Sequence, residues 1–193
     1  KVESGIPLVI IQHGGNYGIS RWNFFEEHQI AISDKFLTWG WDDVNNQKVV
    51  AFGNVKTAGV SLRYDENGGL LLIGLAMPAF SYHMYSAVVS TSQWVDYFND
   101  QIAFVGGLPK SIHEKVTVRV PGEDYGLCQK ERWESHKLDF SVNLEDDSDG
   151  SLNQALSRSR LAVSTYNATT FLETMTLGMP TVIFWNPEHW ELR

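Results

Sequence analysis

Residues Leu161–Phe184 read LAVSTYNATTFLETMTLGMPTVIF and decide the class of fold that this chain adopts. The segment starts with an apolar strand, runs through small hydroxyl and amide side chains, and then has the pattern of a short helix. Gly178-Met179-Pro180 ends that helix, and Thr181–Trp185 reads as a second apolar strand. Strand, polar loop, helix and strand in this order make one βαβ unit, which predicts a parallel sheet.

The polar loop of this unit lies where a parallel sheet presents its ligands. Its hydroxyl and amide residues are Ser164, Thr165, Asn167, Thr169 and Thr170. Free backbone N–H groups and the positive end of the helix suit the loop to a phosphate, and Glu173 can accept two ribose hydroxyls. The unit therefore predicts the handling of a nucleotide or a sugar phosphate. The alternative for Glu173 is structural, because Thr170-Phe171-Leu172-Glu173 also fits the S/T-x-x-E capping box.

Composition restricts the kind of protein and its partners. The chain has 193 residues, of which 43% are hydrophobic and 12% aromatic, so we expect a packed globular domain rather than disorder. A formal charge of −8 argues against nucleic acid or an anionic membrane as the main partner. The single cysteine, Cys128, excludes an internal disulfide and a multi-cysteine zinc site.

The sequence contains neither a membrane span nor a signal-peptide pattern. No segment approaches the roughly 18 consecutive apolar residues that a transmembrane helix needs. The opening segment KVESGIPLVII lacks the features of a secretory signal. We therefore expect a cytoplasmic protein, with the inner face of the membrane as an alternative location.

The whole chain alternates strand and helix patterns. The predicted strands before the βαβ unit are Pro7–Gln12, Lys35–Trp41, Val49–Asn54, Leu70–Ala76, Val116–Val120 and Leu138–Val142. The predicted helices before it are Asn23–Ile32, Ser86–Phe104, Leu127–His136 and Ser151–Arg160. This order predicts an α/β fold, with a Rossmann-like, mostly parallel sheet flanked by helices in one domain over residues 1–193. The almost continuously apolar strand Pro7–Gln12 is expected to be buried on both faces.

Polar clusters follow four of the predicted strands: His13–Gly18, Met77–Tyr82, Arg119–Tyr125 and Ser164–Thr170. If the strands are parallel, all four clusters lie along one edge of the sheet. Their convergence indicates a ligand site more strongly than any one of them.

His13 ends the first strand and is followed by Gly14, Gly15 and Gly18. Glycines let the backbone approach a ligand closely, and an imidazole beside them can act as a general base or bind phosphate. The alternative is a tight turn whose histidine is satisfied by the backbone.

Arg119 lies near the end of strand VTVRV, where an inward-pointing guanidinium is costly without an anion. A diphosphate would supply that anion through bidentate hydrogen bonds. The alternative is a salt bridge to Glu123 or Asp124, a short distance along the chain. Both can hold, with the salt bridge present in the unliganded state. The acidic run from Glu145 to Asp149 lacks calcium-loop spacing, and no metal site is predicted.

Three phrases together resemble a known group of proteins: QHGGNYG (Gln12–Gly18), ISDKFLTWGW (Ile32–Trp41) and STYNATTFLETMTLGMPTVIFWNPEHWELR (Ser164–Arg193). They are similar to transferases found in bacterial O-antigen and lipopolysaccharide gene clusters. Those proteins are considered similar to glycosyltransferases of the GT-B type, which have two Rossmann domains. The resemblance implies transfer of a sugar, or a related group, from a nucleotide-sugar to a carbohydrate or lipid-linked acceptor.

The resemblance also implies roles for particular residues and a missing partner. The chain would be the donor-binding domain of a longer transferase whose N-terminal domain is absent. Glu173 would contact the donor's sugar or ribose, and His13 would face the cleft between the domains as the catalytic base. The donor's phosphates would be contacted by Gly14, Gly15, Arg119, Ser164, Thr165, Thr169 and Thr170. GT-B enzymes generally need no bound metal, so no cofactor is expected beyond the donor itself.

Two other functions fit the same sequence. A sugar-nucleotide epimerase of this fold would use the same edge of the sheet but would need no acceptor. A non-catalytic module that binds a nucleotide-sugar, or docks a partner, would keep its function when His13 is changed. A transferase would instead lose turnover and keep its donor affinity.

Overall fold

The computed structural model of this protein describes residues 4–80, 89–136 and 141–193. The strands are β1 (Val9–Ile11), β2 (Lys35–Thr38), β3 (Val49–Ala51), β4 (Gly69–Ile73), β5 (Val116–Arg119), β6 (Asn143–Glu145), β7 (Ser159–Ser164) and β8 (Thr181–Ile183). The helices are α1 (Phe24–Ile32), α2 (Trp94–Gly106), α3 (Lys110–His113), α4 (Gln129–Ser135), α5 (Leu152–Ser157) and α6 (Thr169–Thr176). The start of predicted helix Ser86–Phe104, most of predicted strand Leu138–Val142 and the end of cluster Met77–Tyr82 lie outside the described residues.

The strands form two sheets, and every strand pair in both is parallel. The first sheet has the order β1-β2-β3, and the second has the order β6-β5-β4-β7-β8. The predicted α/β class with parallel strands is confirmed. The expectation that all four polar clusters lie along the edge of one sheet is wrong. His13 follows a strand of the first sheet, whereas Arg119 and Ser164 end strands of the second. The assignment of residues 1–193 to one domain stays a prediction.

Strand β4 is the centre of the second sheet, and helices cover both of its faces. Leu72 packs on one face in a cluster that includes Trp94 and Phe98 of α2. Leu71 packs on the other face against Leu156 of α5. Leu71 and Leu72 are fully buried, as expected for a strand that is apolar at successive positions. This packing fixes the carboxyl ends of β4, β5 and β7 side by side, with Ile73 in register with both Arg119 and Ser164.

The first strand is less buried than its sequence predicts. Val9 is 50% exposed and Ile11 is 39% exposed, so the expectation of burial on both faces is wrong. Val9 and Ile11 are two residues apart and point to the same face of β1, and that face is left partly uncovered. The apolar run Leu8–Ile11 specifies a strand, but it does not specify what packs on either face of it.

Helix α1 packs on the first sheet and begins where the sequence predicts. The side chain of Asn23 caps it by accepting a hydrogen bond from the N–H of Glu26. Below it, Phe36 of β2 is fully buried and stacks on Tyr17. Within the described part of the chain, every helix is too short or too polar to cross a bilayer.

Candidate functional site

The carboxyl edges of the two sheets meet at Gly15. The N–H of Gly15, in the loop after β1, donates to Thr169 Oγ1, in the first turn of α6, over 2.9 Å. A Cβ atom on Gly15 would lie 2.2 Å from the carbonyl carbon of Ala168, closer than real Cβ contacts come. The glycine is therefore required by a close backbone approach. Two of the predicted clusters, His13–Gly18 and Ser164–Thr170, are in direct contact.

A second contact joins the same two edges one helical turn further along α6. Lys56 Nζ lies 2.6 Å from Glu173 Oε1. Lys56 belongs to a single 3₁₀ turn, Val55–Thr57, which follows β3 and is capped by the side chain of Asn54. Because Thr169 and Glu173 are four residues apart, they share one face of α6. That face therefore receives the loop after β1 and the loop after β3.

Glu173 is a buried carboxylate rather than a helix cap. The helix begins at Thr169, which puts Thr170 inside it, and Ala168 provides no side-chain cap. The Thr170 hydroxyl is instead 2.5 Å from the hydroxyl of Tyr166. The capping-box interpretation is therefore wrong, because both of its residues lie past the helix start.

The Oε1 atom of Glu173 is inaccessible to water and has no hydrogen-bond partner among the described residues. Its contact with Lys56 is thus a close ion pair without hydrogen-bond geometry. The residue as a whole is 7% exposed. A buried carboxylate oxygen without an aligned hydrogen-bond donor is unusual, and the charge of Glu173 is instead balanced by the ammonium of Lys56.

Ser164 and Thr165 form the floor of the site. Both are about 1% exposed, and their hydroxyls donate to the carbonyls of Tyr166 and Ile73 respectively. The Tyr97 hydroxyl lies 2.5 Å from Thr165 Oγ1 and accepts from the N–H of Leu75. Burial raises the pKa of Tyr97 above its ordinary value, so the phenol stays neutral and can donate to Thr165. These hydroxyls hold the carboxyl ends of β4 and β7 together, and in this structure they point at protein groups.

His13 is exposed at the end of β1, and the hydroxyl of Tyr17 lies 3.1 Å from its Nδ1 and 3.3 Å from its Nε2. Burial raises the pKa of Tyr17 to about 12, so its hydroxyl is neutral near pH 7. That hydroxyl donates to Gln29 Oε1, which leaves it to accept from an imidazole N–H. Both ring nitrogens are within reach of this one hydroxyl, so the contact orients the ring but does not select a tautomer. In either tautomer of the neutral imidazole, the nitrogen without the proton keeps the lone pair that a general base requires.

Two buried side chains that the sequence interpretation missed hold the glycine loop in place. Gln12 is 2% exposed, and its side-chain amide donates to the carbonyl of Gly14. Its Oε1 accepts from the backbone N–H of Trp39 and from the indole Nε1–H of Trp41. Glu26 is 1% exposed and accepts from the N–H of Gly18 over 2.6 Å. Gln12 stands inside the motif QHGGNYG, where a polar residue at the end of an apolar strand was the available signal.

The segment after β8 reinforces this loop. Ser20 and Leu192 form an antiparallel bridge, and the Arg193 guanidinium lies 2.5 Å from Glu26 Oε1. The buried carboxylate of Glu26 thus has two charge-assisted contacts, one to the loop and one to Arg193. The second sheet is in this way connected to the first on both sides of Gly15.

Arg119 lies apart from the contact between the two sheets. Its guanidinium donates to Glu145 over 2.8 Å, to Asp147 over 2.6 Å and to the carbonyl of Gly150 over 2.8 Å. A salt bridge is present, as one alternative expected, but its partners are not Glu123 and Asp124. Because Glu145 belongs to β6, on the side of β5 away from β7, the guanidinium points away from Ser164–Thr170. A phosphate contact by Arg119 stays a prediction.

The structure therefore brings together the loop of His13, Gly14 and Gly15 with Thr169 and Glu173, and it adds Lys56. Ser164, Thr165 and Thr170 lie beneath them, and Arg119 does not join them. In residues 4–80, 89–136 and 141–193, no group of three or more histidine, cysteine or acidic side chains is placed to hold a metal ion.

A family model described as "LIC12162 family transferase" matches residues 1–193. No curated protein and no solved structure matches the chain.

The contacts of Arg119 predict a structural role. Replacing Arg119 with Met should lower the free energy of unfolding by about 3 kcal/mol, because it leaves Glu145 buried with one partner fewer. Asp147→Asn should cost less than about 1 kcal/mol, since the Asp147 side chain is 73% exposed. Urea unfolding followed by tryptophan fluorescence measures both. An Arg119→Met variant as stable as the unchanged protein would show that the ion-pair network is not formed in solution.

Proposed function

Since the chain belongs to the LIC12162 family of transferases, we propose that it transfers a sugar, or a related group, from a nucleotide-activated donor in the biosynthesis of a surface polysaccharide. The observation that carries this proposal is the contact between the carboxyl edges of two parallel sheets, with the buried carboxylate of Glu173 beside it. Ligands of α/β proteins bind beyond the carboxyl ends of parallel strands. Two such edges facing each other support a GT-B-type arrangement.

The donor binds along the face of α6 that carries Thr169 and Glu173. Its diphosphate lies at the start of the helix, where backbone N–H groups and the positive end of the dipole favour an anion. Its ribose or sugar hydroxyls donate to Glu173, which gives the buried Oε1 atom the hydrogen bond that it lacks. Gly14 lets the backbone of the first loop approach the phosphates closely, while Gly15 holds that loop against the start of α6.

The transfer step requires a base and a stabilised leaving group. The oxygen of an acceptor hydroxyl forms a bond to the anomeric carbon of the donor. The bond from that carbon to the diphosphate oxygen breaks, and the leaving nucleoside diphosphate keeps the electron pair. His13 takes the proton of the acceptor, with its ring oriented by Tyr17 and Gln29. The acceptor, a carbohydrate or a lipid-linked sugar, approaches from the side of His13.

Donor binding tests the proposal. Calorimetry with UDP-, GDP-, CDP-, dTDP- and CMP-linked sugars should give saturable binding of one nucleotide to the unchanged chain. Glu173→Gln should weaken that binding about tenfold or more, because an amide accepts a hydroxyl hydrogen bond more weakly than a carboxylate. Glu114→Gln is the matched control, since Glu114 is exposed and precedes β5, at the opposite edge of the sheet. A folded chain that binds none of these compounds would contradict the proposal.

A variant of His13 tests whether this residue acts in the transfer step or in binding of the donor. His13→Ala should leave the affinity for the donor within about threefold, while the rate of transfer falls by about a hundredfold or more, as expected for the loss of a general base. Transfer is measured as the nucleoside diphosphate that is released when a cell extract containing the carbohydrate or lipid-linked acceptor is added. A variant with unchanged turnover would remove His13 from the reaction and favour a binding module.

A further inference from the structure

We propose that Lys56 binds the diphosphate of the donor, so that the loop after β3 completes the donor site from the first sheet. This inference rests on the proposed function and adds a residue that the sequence does not single out. Lys56 has no motif around it, and only the fold places it beside Glu173.

The position of Lys56 suits a ligand-binding cation. Its side chain is 62% exposed, whereas that of Glu173 is 9% exposed. An ammonium group carries three N–H donors, and the contact with Glu173 leaves donors that face solvent above α6. Glu173 is one helical turn from Thr169, so Lys56 lies about one turn from the start of the helix. The N–H groups of that turn and the ammonium can therefore share one anion.

The geometry of the Lys56–Glu173 pair differs from that of a structural salt bridge in the same chain. Arg119 donates aligned hydrogen bonds to two carboxylates and a carbonyl, and its side chain is buried. The Lys56–Glu173 contact is close, but it leaves Oε1 of Glu173 without a hydrogen bond. Glu173 is buried, so its charge needs a partner whenever Lys56 leaves it, and the hydroxyls of a bound donor can provide one. Lys56 is exposed, so its ammonium can turn from Glu173 to a ligand.

Binding of the donor supplies those new partners. The diphosphate accepts from the Lys56 ammonium, and the hydroxyls of the donor donate to Glu173. Lys56 and Glu173 then each contact the ligand instead of one another. The overall charge of −8 disfavours the binding of a diphosphate, and a cation at the site offsets that repulsion locally. When the nucleoside diphosphate leaves, the same ammonium stabilises its added negative charge.

A phosphate series tests this role. Calorimetry measures the affinity of the nucleoside, the monophosphate and the diphosphate of uridine, guanosine, cytidine and thymidine. The proteins compared are the unchanged chain, Lys56→Met, Lys56→Arg and Lys110→Met. Lys110 is an exposed lysine of α3, which leads into β5 at the opposite edge of the sheet, and it serves as the matched control.

For the base that binds, Lys56→Met should lower the affinity for the diphosphate about tenfold and change the affinity for the nucleoside by less than about twofold. Lys56→Arg should recover most of the loss, because it keeps the charge, and Lys110→Met should have no effect. The loss should also shrink as the salt concentration rises, since it comes from a charged contact.

Three results would overturn the inference, and they differ from each other. If Lys56→Met binds the diphosphate as well as the unchanged chain does, the donor site is kept but Lys56 is not part of it. An equal loss for nucleoside and diphosphate shows that Lys56 acts by positioning Glu173. A folded, unchanged chain that binds none of these compounds contradicts the donor site itself, and this inference with it.

Discussion

The contact of Gly15 with the Ala168–Thr169 peptide is the constraint on which the arrangement of the candidate site depends. It brings the loop after β1 against the first turn of α6, at a separation that has no room for a side chain. The position of His13, two residues earlier, follows from it. The contact of Lys56 with Glu173, one turn along the helix, also depends on it. Without this approach the two sheet edges would be separate, with His13 and Lys56 at the first sheet and Glu173 at the second.

Buried polar groups hold this approach in place, and they account for much of the polar sequence around the site. Gln12 and Glu26 fix the two ends of the glycine loop, while Tyr97 and Thr165 fix the carboxyl ends of β4 and β7. Each such hydrogen bond contributes about 1 kcal/mol net, and leaving one of these groups unpaired costs more. The hydroxyl-rich loop Ser164–Thr170 therefore serves first to build the floor of the site. The groups proposed to act on a ligand are the exposed His13 and Lys56 and the buried Glu173.

The sequence predicts the parallel α/β class because apolar strands alternate with helices, and it places the βαβ unit of β7, α6 and β8 to within a few residues. It does not predict the division into two sheets, since an apolar run such as Leu8–Ile11 does not encode its neighbours. The partner of Arg119 is Glu145, 26 residues away on a paired strand, whereas local reasoning favours Glu123. Lys56 could not be found from sequence, because a single lysine in a polar loop forms no pattern.

The most direct test of this account is amide hydrogen exchange at the start of α6 in Gly15→Ala, with Gly14→Ala as its control. Neither glycine has a positive φ, and a Cβ on Gly14 would meet its nearest neighbour at an ordinary 3.5 Å. If the two sheet edges meet at Gly15, exchange over residues 166–172 and around Lys56 is faster in Gly15→Ala, whereas Gly14→Ala exchanges like the unchanged chain. Identical exchange in both variants would show that the two sheet edges do not meet in solution, and the shared site would then be contradicted.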